Sequence, residues 1–200
     1  MTTAVVTFLL AGGVLVILPG PDSMLMLRAI TVHGRATALR TAAGSLTGLV
    51  VWAVSASIGL AALLKASDVG YTVLRLVGAA YLLTLGVQAL RRRSAAPPKV
   101  GGFLGAGYLA GLATNLFNPK VGVFFVTFLP GFVPGGAPVG PTSLLFGGLY
   151  VVETALYFAV MLLLVDRLAR ALRDDVVRRR IERLSGCVLI VFGLRLATES

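Results

Sequence analysis

An unbroken run of uncharged residues, positions 41–64, constrains this chain more than any other feature of its sequence. The run is longer than the roughly 20 mostly apolar residues that a helix needs to cross a bilayer. Only 13% of the 200 residues are charged and 57% are apolar, whereas soluble domains carry roughly a quarter charged residues. The sequence therefore predicts a membrane protein and excludes a soluble enzyme, a disordered chain and a secreted disulfide scaffold.

Other apolar segments accompany this run, and together they predict an all-α, polytopic integral membrane protein with six transmembrane helices. We expect one transmembrane domain over residues 1–200. The predicted spans occupy residues 2–27, 41–64, 69–90, 100–132, 143–165 and 184–197.

Basic residues predict the orientation of these spans. The net charge is +10, and most Lys and Arg residues fall in the loops after the first, third and fifth spans. Cytoplasmic loops carry such an excess, so both termini are expected to be extracytoplasmic. No basic stretch is interleaved with aromatic residues, which argues against nucleic-acid binding. The single cysteine, Cys187, and the absence of a Cys/His cluster predict neither a metal site nor a cofactor.

The two halves of the chain resemble each other. Arg75-Leu-Val-Gly78 in the third span matches Arg183-Leu-Ser-Gly186 in the sixth. Leu18-Pro-Gly-Pro-Asp22 likewise matches Leu116-Phe-Asn-Pro-Lys120. Because each copy holds three spans, the second would enter the membrane from the opposite side, as in many secondary transporters. We expect inverted three-helix repeats at residues 1–93 and 100–200; the alternative is that a shared apolar composition mimics a repeat.

The first and fourth spans are predicted to be broken helices. Proline lacks an amide hydrogen and clashes with the preceding turn, so Pro19, Pro21 and Pro119 supply breaks, with Gly20 and Asn118 as N-caps. Broken backbone at membrane depth is tolerated where it lines a cavity or is buried in protein. Such a helix start could bind a carboxylate; the alternative is a proline kink satisfied by a neighbouring helix.

Three ionisable residues lie within the predicted spans: Asp22, Lys120 and Glu153. Ionisable groups at this depth are costly and usually functional. The acids suit an ammonium group, and Lys120 with the helix starts suits a carboxylate. The alternatives are an ion pair between Glu153 and Lys120, and a solvent-exposed Asp22. The predicted substrate-binding residues are Gly20, Pro21, Asp22, Ser23, Asn115, Asn118, Pro119, Lys120 and Glu153; Glu153 and Asp22 are the candidates for proton coupling.

Other conspicuous residues are interpreted as packing positions. Gly44-x-x-x-Gly48 and Gly107-x-x-x-Gly111 have the spacing that lets membrane helices approach closely. Trp52 and Tyr150 are interpreted as packing or interfacial aromatics.

Three motifs taken together resemble the LysE/RhtB family of bacterial amino-acid exporters. They are Leu18-Pro-Gly-Pro-Asp22, Gly78-Ala-Ala-Tyr-Leu, and Asn115-Leu-Phe-Asn-Pro-Lys120 followed by Leu129-Pro-Gly-Phe-Val133. The resemblance covers nearly the whole chain. It implies export of amino acids or close derivatives across the bacterial inner membrane, driven by the proton gradient. Many members carry an acid where this chain has Leu49, which leaves Glu153 as its own candidate for coupling.

An alternative function is an ion or metal exporter, or a channel, of the wider LysE superfamily. Metal export predicts clustered oxygen or sulfur ligands, which two separated acids and a lysine do not match. The predicted spans contain no nucleophile–base pair of the kind that would suggest an enzyme. The sequence does not identify the amino acid, and it leaves the oligomeric state, including a homo-oligomer, open.

Overall fold

The computed structural model describes the backbone of residues 1–18, 20–66, 68–91, 105–164 and 175–198, and every regular element in these ranges is helical. The all-α prediction is therefore confirmed for the described ranges. Pro19 and the predicted repeat boundaries at residues 93 and 100 lie outside them, as do the basic residues at 92, 93, 99, 167, 170 and 173. The helices are α1 (Thr2–Ile17), α2 (Pro21–Arg28), α3 (Arg35–Ala66), α4 (Asp68–Arg91), α5 (Tyr108–Leu116), α6 (Pro119–Val123), α7 (Val139–Leu163) and α8 (Asp175–Thr198).

Two helices are broken where the prolines predict. The first break separates α1 from α2, and the axis bends by 53° there. The second break separates α5 from α6, with a bend of 52°. Pro21 and Pro119 begin the second halves, directly after the N-caps Gly20 and Asn118. In the first helical turn the missing proline amide costs nothing, because amides there have no intrahelical acceptor.

Both second halves continue into a π-helix. Residues Ala29–His33 follow α2 in this geometry, and Phe124–Phe128 follow α6. A 3₁₀ turn, Leu129–Phe132, then ends the second of these segments. The first ends at Gly34, whose φ of 82° lies in the left-handed region that glycine adopts without a steric cost. The two breaks thus share one order of elements.

Up to four spans, by length and apolar composition, lie within the described residues. They are α7, the part of α3 up to Gly59, and the two bent pairs if each counts as one span. Helix α4 contains a shorter apolar stretch, Leu76–Gln88. The first half of α8 is rich in arginine, which lowers its mean hydropathy.

Glycines set the closest helix contacts. A Cβ on Gly44 would clash with the Tyr108 carbonyl, and a Cβ on Gly111 would clash with the Thr41 carbonyl. These contacts bring α3 and α5 together in parallel, backbone against backbone, as predicted for Gly44 and Gly111. The prediction is wrong for Gly107, which caps α5 and has nothing within 4 Å of an added Cβ. Similarly, a Cβ on Gly86 would lie 2.8 Å from the Gly186 carbonyl oxygen.

The remaining contacts fix the directions of the other long helices. Phe8 stacks on Phe146 with ring centroids 4.7 Å apart, and Gly12 lies against Tyr150. Helices α1 and α7 therefore run parallel. The pair α4 and α8 runs antiparallel, because Gly193 approaches Leu83 while Gly186 approaches Leu90. Helices α3 and α7 are also antiparallel: Ala53 meets Gly147 near one end, and a cluster holding Ala38 and Met161 lies near the other.

Candidate functional site

The two breaks meet in the interior. Asp22, in the first turn of α2, accepts hydrogen bonds from Asn115 Nδ2 at 3.2 Å and from Asn118 Nδ2. Both asparagines are buried, with 2% and 4% of their surface exposed. Asn118 has a second task, because its Oδ1 accepts the backbone amide of Lys120 at 3.0 Å and so caps α6. The acid of the first break is thus held by the two amides of the second.

Lys120 reaches in the opposite direction. Its ammonium group donates hydrogen bonds to the carbonyl oxygen of Leu15 and, at 3.0 Å, to that of Leu18. These carbonyls lie at the C-terminal end of α1, where carbonyls lack intrahelical partners and a positive charge is favoured. The partners of Lys120 are therefore backbone oxygens of the first break rather than the carboxylate of Glu153.

A small cavity of about 40 Å³ lies between the breaks. A water molecule needs roughly 10–15 Å³ of such space, whereas cavities that hold small-molecule ligands measure about 300 Å³ or more. In this arrangement the cavity is therefore too small for an amino acid. The predicted site residues that line the cavity are Gly20, Asp22, Ser23, Asn115, Asn118 and Lys120.

Three predicted site residues do not line the central cavity: Pro21, Pro119 and Glu153. Pro119 lines an adjacent apolar groove of about 360 Å³, together with Trp52, Tyr81 and Phe117, and Asn118 borders both spaces. Most of the predicted site residues thus lie around one cavity, while Glu153 on α7 lies beside it.

Glu153 lies on the interface between α7 and α1. An added Cβ on Gly12 would be 2.6 Å from Glu153 Oε2, and one on Gly13 would be 3.6 Å from Oε1. A Cβ at position 12 would therefore require the carboxyl group to shift, whereas a Cβ at position 13 would make an ordinary van der Waals contact with it. Its Oε2 atom is buried and has no hydrogen-bond partner. A buried carboxyl oxygen without a donor is costly when it is charged.

Several cavity residues were missed by the sequence analysis. The α7 helix contributes Tyr150, Thr154, Tyr157 and Phe158 to the wall, and Leu49 of α3 lies opposite. The sequence predicts Tyr150 only as a packing or interfacial aromatic. The useful signal was the spacing: Tyr150, Thr154 and Tyr157 follow the i, i+4, i+7 pattern of one helix face. Each carries a hydroxyl group on a predominantly apolar helix.

The fold and site define a helical membrane protein with a buried polar cavity at the meeting point of two broken helices. The chain belongs to the LysE-type translocator family, because the sequence model described as LysE type translocator matches residues 14–200. The predicted family membership is therefore confirmed. It is a family of transporters, which makes this chain a multi-pass membrane protein.

Relatives of similar length share a quarter to a third of their residues with the chain. The threonine efflux protein of Escherichia coli (strain K12) is 30% identical over 89% of this chain and 89% of its own length. The leucine efflux protein of Klebsiella pneumoniae is 28% identical over 96% and 93%. The homoserine/homoserine lactone efflux protein of Salmonella typhi is 26% identical over 96% and 94%. No solved structure matches the chain.

Proposed function

We propose that this protein is a secondary transporter, not an enzyme, that exports amino acids or related small metabolites from the cytoplasm across the bacterial inner membrane, driven by the proton gradient. One observation carries the proposal: Asp22 and Lys120, of opposite charge, lie at two broken helices and line one cavity. An α-amino acid carries the same two charges. The names of the efflux relatives support this substrate class.

In this proposal the substrate replaces partners that the two charged residues have within the protein. The substrate ammonium group binds Asp22, taking the place of the amides of Asn115 and Asn118. The substrate carboxylate binds Lys120 and the backbone amides near Asn118 and Pro119. Hydrogen bonds that link the breaks are thereby exchanged for hydrogen bonds to substrate. The exchange would open the cavity.

The helix directions support two inverted repeats and six spans. Exchanging the halves pairs α1 with α5, α3 with α7 and α4 with α8. The parallel contact of α3 with α5 then becomes the parallel contact of α7 with α1. The two antiparallel contacts, α3 with α7 and α4 with α8, each map onto themselves. An inverted repeat gives two related conformations facing opposite sides, as alternating access requires.

Glu153 is the proposed proton-coupling residue. Its carboxyl group lies beside the cavity, between two helices that belong to different halves, and its Oε2 has no donor. Protonation in one facing state and release in the other would couple the proton gradient to substrate movement. Asp22 is the second candidate, and each of its carboxyl oxygens accepts a hydrogen bond from an asparagine amide.

The test is proton-driven uptake of radiolabelled threonine, homoserine and leucine into inverted membrane vesicles. Glu153→Gln keeps the shape of the side chain but does not titrate. We expect this variant to retain exchange of internal for external substrate and to lose accumulation against a gradient. Asp22→Asn is the matched comparison, because it also replaces an acid by its amide.

The two variants separate the outcomes. Accumulation that survives Glu153→Gln but is lost in Asp22→Asn would move coupling to the first break. Accumulation that survives both changes and their combination would eliminate carboxylate coupling. Uptake of manganese or cadmium in place of every amino acid would overturn the substrate class.

The proposed orientation places both termini on the extracytoplasmic side, because the basic loops favour the cytoplasm. A reporter that is active only in the periplasm, fused after Ser200, is expected to be active. A reporter that is active only in the cytoplasm should be silent at the same position. The reverse pattern would contradict the six-span topology or its polarity.

A further inference from the structure

Tyr150 lies at the junction between the central cavity and Glu153. Its side chain lines the cavity together with Asp22 and Lys120, and only 4% of its surface is exposed. One helical turn further along α7, Glu153 faces Gly12. The Cβ position of Gly12 is 2.6 Å from Glu153 Oε2 and 3.4 Å from Tyr150 Cδ2. Tyr150 and Glu153 therefore share one neighbour on α1.

The ring of Tyr150 is held by aromatic neighbours. It stacks on Phe124 with centroids 4.1 Å apart and an interplanar angle of 27°. Phe125 contacts it at 89° and 5.8 Å. Both phenylalanines belong to the π-helix that follows α6, so the second broken helix fixes where the Tyr150 hydroxyl lies.

Acidic residues lie on two sides of the Tyr150 side chain. Asp22 lines the cavity together with Tyr150, and Glu153 shares the neighbour Gly12 with the Tyr150 ring. The other charged or titratable side chains at the junction are Lys120 on α6 and Tyr157 on α7. Glycines 12 and 13 of α1 bring no charge to Glu153. Tyr150 thus supplies a hydroxyl that can both donate and accept between the two acids.

We propose that Tyr150 is a positioning residue that links the protonation state of Glu153 to the substrate cavity, a role that rests on the proposed function. When Glu153 is charged, the Tyr150 hydroxyl donates to its carboxylate, which then no longer lacks a donor. When Glu153 carries a proton, the hydroxyl donates instead to Asp22 or to the carboxylate of the substrate. No proton leaves the phenol in either state.

The experiment is Tyr150→Phe, which keeps the ring stacked on Phe124 and removes only the hydroxyl. We expect proton-driven accumulation in inverted vesicles to fall about ten-fold, the loss typical of one hydrogen bond to a charged group. The pH at which accumulation is half-maximal should shift, while substrate exchange falls less than accumulation. Tyr81→Phe is the control, because Tyr81 lines the apolar groove but not the central cavity. That variant should keep the rate and the pH profile of the unmodified protein.

A double variant separates this proposal from the proposed function. Tyr150→Phe should add little to Glu153→Gln, because the hydroxyl acts through Glu153. If Glu153→Gln abolishes accumulation while Tyr150→Phe keeps the normal rate and pH profile, the positioning role is wrong and the proposed function stands. If accumulation survives Glu153→Gln, the coupling scheme itself has failed. Equal loss of exchange and accumulation in Tyr150→Phe, with an unmoved pH profile, would make Tyr150 a structural residue only.

Discussion

The two broken helices have the same sequence frame and opposite charges. Each reads leucine, any residue, glycine or asparagine, proline, then a charged residue: Asp22 at the first break and Lys120 at the second. Asp22 is at the start of its own helix, where a negative charge is favoured. Lys120 has the same position on α6, where a positive charge is disfavoured, and it extends to the C-terminal end of α1. The sign of the charge therefore decides whether each side chain lies at a helix N-terminus, as Asp22 does, or reaches a helix C-terminus, as Lys120 does.

Each break therefore supplies what the other lacks. The first has free carbonyls, which Lys120 satisfies; the second has asparagine amides, which Asp22 accepts. Non-helical backbone at membrane depth is tolerated where it is buried in protein or lines a cavity, and these hydrogen bonds satisfy it there. The sequence leaves open the alternative that each site is a proline kink whose backbone groups bond to a neighbouring helix. In the structure that neighbouring helix is itself broken, and the side chains that make the hydrogen bonds between the breaks also line the cavity.

The largest expected effect comes from removing the positive charge of the second break. Lys120→Met keeps much of the side chain's length and apolar stem but leaves the α1 carbonyls without their donor and the substrate carboxylate without a charge. We expect uptake to fall about ten- to a hundred-fold, as expected for the loss of a charge-assisted hydrogen bond. The measurement is the initial rate of substrate uptake into inverted vesicles at several substrate concentrations.

Lys120→Arg is the matched control for charge. Arginine keeps the charge but presents a planar fork that is bulkier than an ammonium group. It should lose much of the uptake while retaining more than Lys120→Met. Normal uptake by Lys120→Met, with unchanged substrate affinity, would show that Lys120 is not a substrate ligand.

The breaks themselves were predictable from the sequence, and their mutual contacts were not. Pro21 and Pro119 mark helix starts through a local property, the missing amide hydrogen, which needs no knowledge of the fold. The partners of Lys120 depend on which helices lie side by side. From the sequence alone, an ion pair between Lys120 and Glu153 is an open alternative. The hydrogen bonds to Leu15 and Leu18 follow from three-dimensional packing.

The residues of α7 show the same limit. Glu153 was identified because a charge in an apolar helix is conspicuous, but the sequence did not reveal that it faces Gly12 and Gly13. Tyr150 was assigned to packing because aromatic residues in apolar helices serve many purposes. Its ring does pack, against Phe124 and Phe125, and its side chain also lines the cavity. A tyrosine that both packs and lines a cavity is recognised from the sequence only as a packing residue, because packing is the commoner role.

The smallest expected effect concerns how the two helix starts are capped. Asn118 caps α6 with its side chain, whereas Gly20 offers no side-chain cap to α2. Gly20→Asn would make the first break resemble the second. The backbone of Gly20, with φ −131° and ψ −175°, is extended as an N-cap requires. An added Cβ there would come no closer than 3.9 Å to Lys120 Cδ.

The new side chain can accept an amide from the first turn of α2, and it reduces the freedom of the unfolded chain. We expect Gly20→Asn to stabilise the protein by about 0.5 kcal/mol, measured as a small rise in the thermal unfolding midpoint in detergent. The control is Asn118→Ala, which removes an existing cap and should destabilise by about 1 kcal/mol or more, since Asp22 also loses a donor. A clear loss of stability in Gly20→Asn would mean that position 20 requires glycine so that Lys120 can approach closely. The missing side-chain cap would then not be a defect that a larger residue can repair. The two breaks would then differ in packing as well as in charge.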